Sequence, residues 1–179
     1  MNKKRVSTLV VLGLLLLGGD LFSKYWVDHN IISIDQAPPF YPFGGIQVFQ
    51  NVLGIDFSIN KVRNYGGAWS VFSSYPKTLL GVRVVIFFIL FFYVAFMNRN
   101  RKKDLPFVLV LAGGLGNIFD ALMHGSVIDL FHFIIWGYSF PIFNVADVLI
   151  FSGSVVLLWQ ECLKKNGPRK GQIKVPACN

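Results

Sequence analysis

The chain has 179 residues, of which 54% are hydrophobic, and it carries a formal net charge of +8. It contains 18 Phe but only 9 acidic residues. This composition predicts one compact membrane domain and excludes a string of soluble domains. The two Cys show no metal-ligand spacing, so we expect neither a disulfide framework nor a metal site.

Four apolar segments of similar length occur along the chain, at residues 6–27, 78–97, 105–122 and 143–163. Each approaches the roughly 20 residues that cross about 30 Å of hydrocarbon. Unbroken apolar runs span membranes as helices, so we predict an all-α membrane protein with four transmembrane helices. The first segment imitates a signal peptide, but Asp20 and Lys24 stand where a cleavage site would be, and we expect a retained helix.

Basic residues cluster before the first segment, between the second and third, and after the fourth. The positive-inside rule places all three clusters in the cytoplasm, together with both chain termini. Residues 164–179 are therefore predicted to form a cytoplasmic basic tail. The positive charge is a topology signal, and we expect no nucleic-acid binding.

Two connections are then predicted on the outer, periplasmic side, at residues 28–77 and 123–142. The first contains apolar residues that alternate with period two, at Ile46, Val48, Ile55, Phe57 and Ile59. This alternation predicts a small β-containing periplasmic domain between helices 1 and 2. The second connection is rich in Phe, Ile and Trp, and we expect a loop that dips into the membrane interface. Residues 1–163 form a single integral-membrane domain in this interpretation.

Polar residues from different segments are predicted to meet at one level of the membrane. With a rise of about 1.5 Å per residue, they fall in its outer third. They are Asp20, Asn117, Asp120, Asn144 and Asp147, with Asp129 just outside the third segment. An ionised carboxylate in a bilayer is costly, so this convergence favours a functional site. Gly113, Gly114 and Gly116 permit close helix approach beside it.

Structural roles stay open for these polar residues. Asp20 and Lys24 are four positions apart and can form a simple ion pair. Asn117 and Asp120 can join helices by hydrogen bonds. Asn144 is a suitable helix N-cap, and an acid three residues later complements the helix dipole.

A non-enzymatic membrane protein, such as a transporter subunit or an assembly scaffold, is the competing functional class. Intramembrane acids also mark ion paths, which supports that class. The acids cluster at one membrane face, however, and the sequence has no internal repeat of the kind many transporters show. Both features favour a localised reaction site.

Five motifs in chain order carry a resemblance to a known family: Asp20-Leu-Phe-Ser-Lys24, Asn64-Tyr-Gly-Gly-Ala-Trp69, Gly113-Gly-Leu-Gly-Asn-Ile-Phe-Asp120, Gly125-Ser-Val-Ile-Asp129 and Phe143-Asn-Val-Ala-Asp147. Over about residues 6–163 the chain resembles the prolipoprotein signal peptidase family, also called signal peptidase II. The resemblance implies a bacterial inner-membrane aspartic endopeptidase. Such an enzyme removes the signal peptide before a cysteine that already carries diacylglycerol. We expect a monomer that contacts membrane lipid and prolipoprotein substrates and needs no cofactor or metal.

The resemblance also implies roles for individual residues. By position, Asp129 and Asp147 match the family's catalytic pair. The supporting polar or positioning residues are Asp20, Lys24, Asn64, Gly67, Asn117, Asp120 and Asn144. Two carboxylates held close together do not both ionise readily, which leaves one base and one acid near neutral pH.

The chain departs from the family pattern at two positions. Ala121 follows Asp120 where the family usually has Arg, and Trp69 stands where Phe is common. The first change puts the local hydrogen bonding in question and raises a third reading, a relative that has lost activity. Both retained aspartates argue against that reading.

Overall fold

The structure is a computed structural model and describes residues 3–67 and 71–165. Its helices are α1 (Lys3–Asn30), α2 (Pro76–Phe92), α3 (Asp104–His124) and α4 (Val145–Lys165). Its strands are β1 (Ile46–Val52), β2 (Ile55–Asn64), β3 (Val127–Ile135) and β4 (Tyr138–Ser139). Trp69 lies outside the described residues. So does the predicted basic tail, apart from its first two positions, which end α4.

The prediction of four membrane-spanning helices is confirmed within the described part of the chain. Its four long helices are each long and apolar enough to cross a membrane. α2 continues as a π-helical turn, Tyr93–Met97, so its apolar stretch reaches the length of a span. Helix ends differ by a few residues from the apolar segments, because polar residues such as Lys3 and His124 continue the helices beyond the hydrocarbon pattern.

α3 lies at the centre of the helical bundle. It packs most extensively against α4, then against α1 and α2. Two glycines of α3 explain why α4 and α1 approach it so closely. A Cβ atom at Gly113 would overlap the carbonyl oxygen of Ala146 in α4, and one at Gly116 would overlap the carboxylate of Asp20 in α1. Small residues thus bring the three helices together where their polar side chains lie.

The four strands form one antiparallel sheet in the order β1-β2-β3-β4. β1 and β2 form the hairpin predicted from the alternating residues between the first two helices. β2 also pairs with β3, from Asn64 opposite Val127 to Ile55 opposite Ile135. The sheet is therefore completed by a segment that lies far away in the sequence.

The expectation of a loop over residues 123–142 was wrong. Most of that connection is β3, which pairs with β2 on one side and β4 on the other. Its apolar residues are buried because Ile128 and Leu130 pack against Val27 and Ile31 at the end of α1. The aromatic and aliphatic residues that suggested an interfacial loop belong instead to a strand that pairs with β2 and is partly buried.

Gly113→Ala is expected to lower the free energy of unfolding by about 1–3 kcal/mol, because the added methyl group meets a backbone carbonyl that cannot turn away. Gly114→Ala is the matched control, since a Cβ atom there lies 3.8 Å from its nearest neighbour, Phe87. Thermal unfolding of both variants in one detergent makes the comparison. Equal melting temperatures would contradict the close approach of α3 and α4.

Candidate active site

The polar residues meet where the sheet joins the ends of α3 and α4. A cavity of about 670 Å³ opens there. We call it the carboxylate cavity, and its polar lining residues are Asn64, Arg83, Asn117, Asp129, Asp147 and Ser154. Asp129 is the third residue of β3, and Asp147 lies in the first turn of α4. A strand and a helix start therefore present the two carboxylates to one space.

Asp129 is held by two side-chain amides. The Nδ2 atom of Asn144 donates to its Oδ1 at 2.6 Å, and that of Asn64 donates to its Oδ2 at 3.0 Å. Asn64 ends β2, and the pairing of β2 with β3 brings its amide to the acid. Asp129 is 3% exposed. Both of its oxygens are thus fixed, and the side chain itself is almost fully buried.

Asn144 and Asp147 form a reciprocal cap at the start of α4. The Oδ1 atom of Asn144 accepts from the Asp147 backbone N–H at 2.9 Å, and the Oδ2 atom of Asp147 accepts from the Asn144 N–H at 3.3 Å. This is the geometry of a capping box. The capping role left open for Asn144 is therefore real, and the same side chain also binds Asp129 through its amide nitrogen.

The ammonium group of Lys24 lies beneath the two carboxylates and is 1% exposed. It lies 2.8 Å from Asp20 Oδ2, as an ion pair, and 3.4 Å from Asp120 Oδ2. It also donates to Asn117 Oδ1 at 3.0 Å. Because the amide oxygen of Asn117 faces the cation, its NH2 group turns outward and donates to Asp147 Oδ1 at 2.9 Å.

The two acids beside Lys24 also bind the backbone of neighbouring elements. Asp20 Oδ1 accepts from the Ala146 N–H in α4 at 2.8 Å. Asp120 Oδ2 accepts from the Ile128 N–H in β3 at 3.0 Å. Ala146 and Ile128 each directly precede an aspartate of the cavity. The network therefore sets the position of the backbone that carries both carboxylates.

Burial, and to a lesser extent the neighbouring charge of Asp147, raise the pKa of Asp129 from its ordinary value of 3.8 to about 7. Hydrogen bonds from Asn64 and Asn144 act the other way, since they favour the charged form. Asp129 therefore holds a proton over much of the range below neutral pH. Perturbed acids in a cleft are typical of functional sites.

A family model described as Signal peptidase (SPase) II matches residues 12–163. The chain belongs to the signal peptidase II family. The lipoprotein signal peptidase of Wigglesworthia glossinidia brevipalpis is 32% identical over 161 residues, which are 88% of this chain and 95% of that protein. That of Moorella thermoacetica is 30% identical over 152 residues, which are 84% of this chain and 90% of that protein.

A solved structure of a bacterial membrane enzyme has the same fold. It aligns with a TM-score of 0.75 at 23% sequence identity, and the alignment covers 94% of this chain and 96% of that one. Together with the four apolar helices, membership of the signal peptidase II family makes the chain a multi-pass membrane protease.

The structure brings together all nine residues that the sequence singled out for this signal peptidase II relative. Gly67 belongs to the group through its backbone, because its carbonyl accepts from Asn64 Nδ2 at 3.3 Å and its N–H donates to Val71 at 2.7 Å. Ala121 contributes a backbone carbonyl, which accepts from the Gly125 N–H at 3.1 Å where α3 ends.

Sequence reasoning missed Arg83, which lines the carboxylate cavity from α2. The available signal was its position: an arginine inside an apolar segment is costly and marks a functional candidate. His132 is buried in the sheet, where its Nε2 lies 2.8 Å from Ser139 Oγ.

Lys24→Met is expected to lower the free energy of unfolding by about 3–5 kcal/mol, because it leaves Asp20 and Asp120 buried without their cation. Lys103→Met is the control, since its ion pair with Glu161 includes a half-exposed partner and contributes less than about 1 kcal/mol. Thermal unfolding in detergent measures both. A Lys24 variant as stable as the control variant would refute the anchoring role of the buried ammonium.

Stability should also depend on pH through Asp129. Its folded pKa of about 7 exceeds its ordinary value, so its stabilising contribution is complete below about pH 4 and is lost as pH rises through 7. Asp129→Asn cannot titrate and should gain stability relative to the parent chain, by a few kcal/mol between pH 4 and 8. Melting temperatures across this range test the slope. Asp35→Asn, at an exposed position, is the control, and its melting temperature should change with pH in the same way as that of the parent chain.

Proposed function

We propose that the chain is an aspartic endopeptidase that removes the signal peptide from diacylglyceryl-modified prolipoproteins, directly before the lipid-modified cysteine. The observation that carries the proposal is the pair Asp129 and Asp147, which line one cavity and are each fixed by side-chain amides. The relatives named lipoprotein signal peptidase support the substrate class.

The pair is suited to sharing one proton near neutral pH. Like charges at short range oppose double ionisation, so one member stays protonated while the other is ionised. The nearly complete burial of Asp129 favours the proton there, which leaves Asp147 as the base. Asn117 and Asn144 hold the two carboxyl groups in place for this division of roles.

Hydrolysis then follows in two steps. The ionised carboxylate accepts a proton from water, whose oxygen adds to the scissile carbonyl carbon while the protonated carboxyl donates to the carbonyl oxygen. When the tetrahedral intermediate collapses, the C–N bond breaks. The proton taken from water passes to the leaving amine of the cysteine, and a hydroxyl of the intermediate returns a proton to the other carboxylate. Both acids recover their starting states.

The cavity matches a substrate that is part peptide and part lipid. Beyond the carboxylates its walls are apolar and include Phe140, Phe143, Val148 and Phe151. Phe151 is 71% exposed, so this wall continues onto the outer surface of α4, where hydrocarbon would lie. Acyl chains can stay in the bilayer while the peptide bond reaches the acids.

The placement in the membrane follows from charge. The basic residues Arg5, Arg101 and Lys103 lie at the bundle end opposite the sheet. The positive-inside rule puts that end in the cytoplasm with both termini, and the sheet and the carboxylate cavity on the periplasmic side of a bacterial inner membrane. Prolipoproteins that cross this membrane would meet the site from outside.

The test is cleavage of a diacylglyceryl-modified prolipoprotein by the purified chain in detergent. We expect product from the parent chain and a rate at least about 100-fold lower from Asp129→Asn and from Asp147→Asn, since each variant removes one proton-transfer group. Asp35→Asn, exposed and outside the cavity, is the matched control and should cleave normally.

Two results would count against the proposal. Folded Asp147→Asn protein that cleaves at the parental rate would exclude the pair as the catalyst. Folded parent protein that gives no product would instead favour the inactive relative raised by Ala121.

A further inference from the structure

Arg83 forms the part of the cavity wall that α2 contributes, and nothing in the proposed reaction uses it yet. Its side chain is half-buried, and its Nη2 donates to the Gly66 carbonyl at 2.7 Å. Its charge interacts with the carboxylates of Asp147 and Asp129. Within residues 3–67 and 71–165, Arg83 forms no direct ion pair. The cation is thus held by a carbonyl and faces the acids across the cavity.

A continuous series of hydrogen bonds leads from Arg83 to Asp129. The Gly66 N–H donates to Asn64 Oδ1 at 2.9 Å, which fixes the orientation of the amide and leaves its NH2 group free to donate. That NH2 group donates to Asp129 Oδ2 at 3.0 Å. By holding the Gly66 carbonyl, the guanidinium fixes Gly66, whose N–H orients Asn64, and Asn64 in turn orients the acid.

Arg83 and Lys24 also differ in which carboxylates offset their positive charges. The cations that act on the aspartate pair are Lys24 from α1 and Arg83 from α2, and the acids Asp20 from α1 and Asp120 from α3 lie beside Lys24. Lys24 lies between Asp20 and Asp120, so two carboxylates offset its charge. Arg83 has the aspartates of the cavity itself as its electrostatic partners. It is therefore well placed to favour one ionised carboxylate in the pair.

We propose that Arg83 is a positioning residue of the peptidase, which holds residues 64–67 over Asp129 and stabilises the single negative charge of the aspartate pair. This inference rests on the proposed function, because it assigns Arg83 a part in that reaction. It couples α2, which contributes no other residue to the cavity lining, to the chemistry of β3 and α4.

Two substitutions separate geometry from charge. Arg83→Gln removes both the guanidinium group that holds Gly66 and its positive charge. We expect kcat to fall about 100-fold with a smaller change in KM, since a misplaced catalytic group has an effect of that order. The acid limb of the kcat/KM profile should move to higher pH, because a lost cation makes ionisation of the pair harder. Arg83→Lys keeps the charge but not the planar fork. It should restore the pH profile and only part of kcat.

Lys77→Gln is the matched control, because Lys77 is an exposed basic residue in the first turn of the same helix. It should leave kcat, KM and the pH profile unchanged. A carboxyl-carbon NMR titration of Asp129 in Arg83→Gln adds a readout that needs no substrate, and we expect its pKa to rise relative to the parent chain.

Parental kcat and pH profile in Arg83→Gln would overturn the proposal. So would equal losses in Arg83→Gln and Arg83→Lys with an unshifted pH profile, which would reduce Arg83 to a packing residue. If the parent chain cleaves nothing, the proposed function fails. The NMR titration then tests the role of Arg83 by itself. An Asp129 pKa in Arg83→Gln equal to that of the parent chain overturns this role, and a higher one supports it.

Discussion

The buried ammonium of Lys24 is the interaction on which the functional end of the molecule depends. In a medium of low dielectric constant an unpaired charge is very unfavourable, so the cation requires partners in a fixed arrangement. Those partners are Asp20, Asp120 and the amide oxygen of Asn117. Because α1 supplies the cation and α3 supplies two of the three partners, the requirement ties these helices together at one depth.

The positions of the groups around Lys24 also determine where the carboxylates of Asp129 and Asp147 lie. Asn117 has only one way to present its amide once its oxygen faces the cation, and the NH2 group then meets Asp147. Asp20 Oδ1 and Asp120 Oδ2 also accept from the backbone N–H groups just before Asp147 and Asp129. Helix packing, helix capping and the geometry of the carboxylates consequently depend on the same hydrogen bonds. Asn144 illustrates this, because one side chain caps α4 and binds Asp129.

Much of this could be predicted from the sequence, since the strongest signals are local. Segment length gave the four helices, period-two alternation gave the β1–β2 hairpin, and depth along each helix indicated that polar groups meet near one level. Asn144 and Asp147 follow the spacing of a capping box, which places them together without any tertiary information.

The remaining features depend on contacts between distant segments. β3 looked like an interfacial loop because its partner β2 precedes it by two helices, and only the pairing explains its apolar residues. Arg83 was missed for another reason. Apart from Arg83 itself, residues 79–92 of α2 are apolar or Gly, so periodicity does not tell which face meets the protein and which meets lipid. The direction of the Arg83 side chain became visible only with Gly66 and the cavity in place.

In the proposed mechanism, one acid of the pair keeps its proton near neutral pH. A carboxyl-carbon NMR titration of aspartate-labelled protein tests it most directly, with the Asp129 signal assigned by its loss in Asp129→Asn. We expect that signal to titrate near pH 7, as burial beside Asp147 requires. Titration near the ordinary value of 3.8 would mean that both acids are ionised in neutral solution, and the proposed division into acid and base would be wrong.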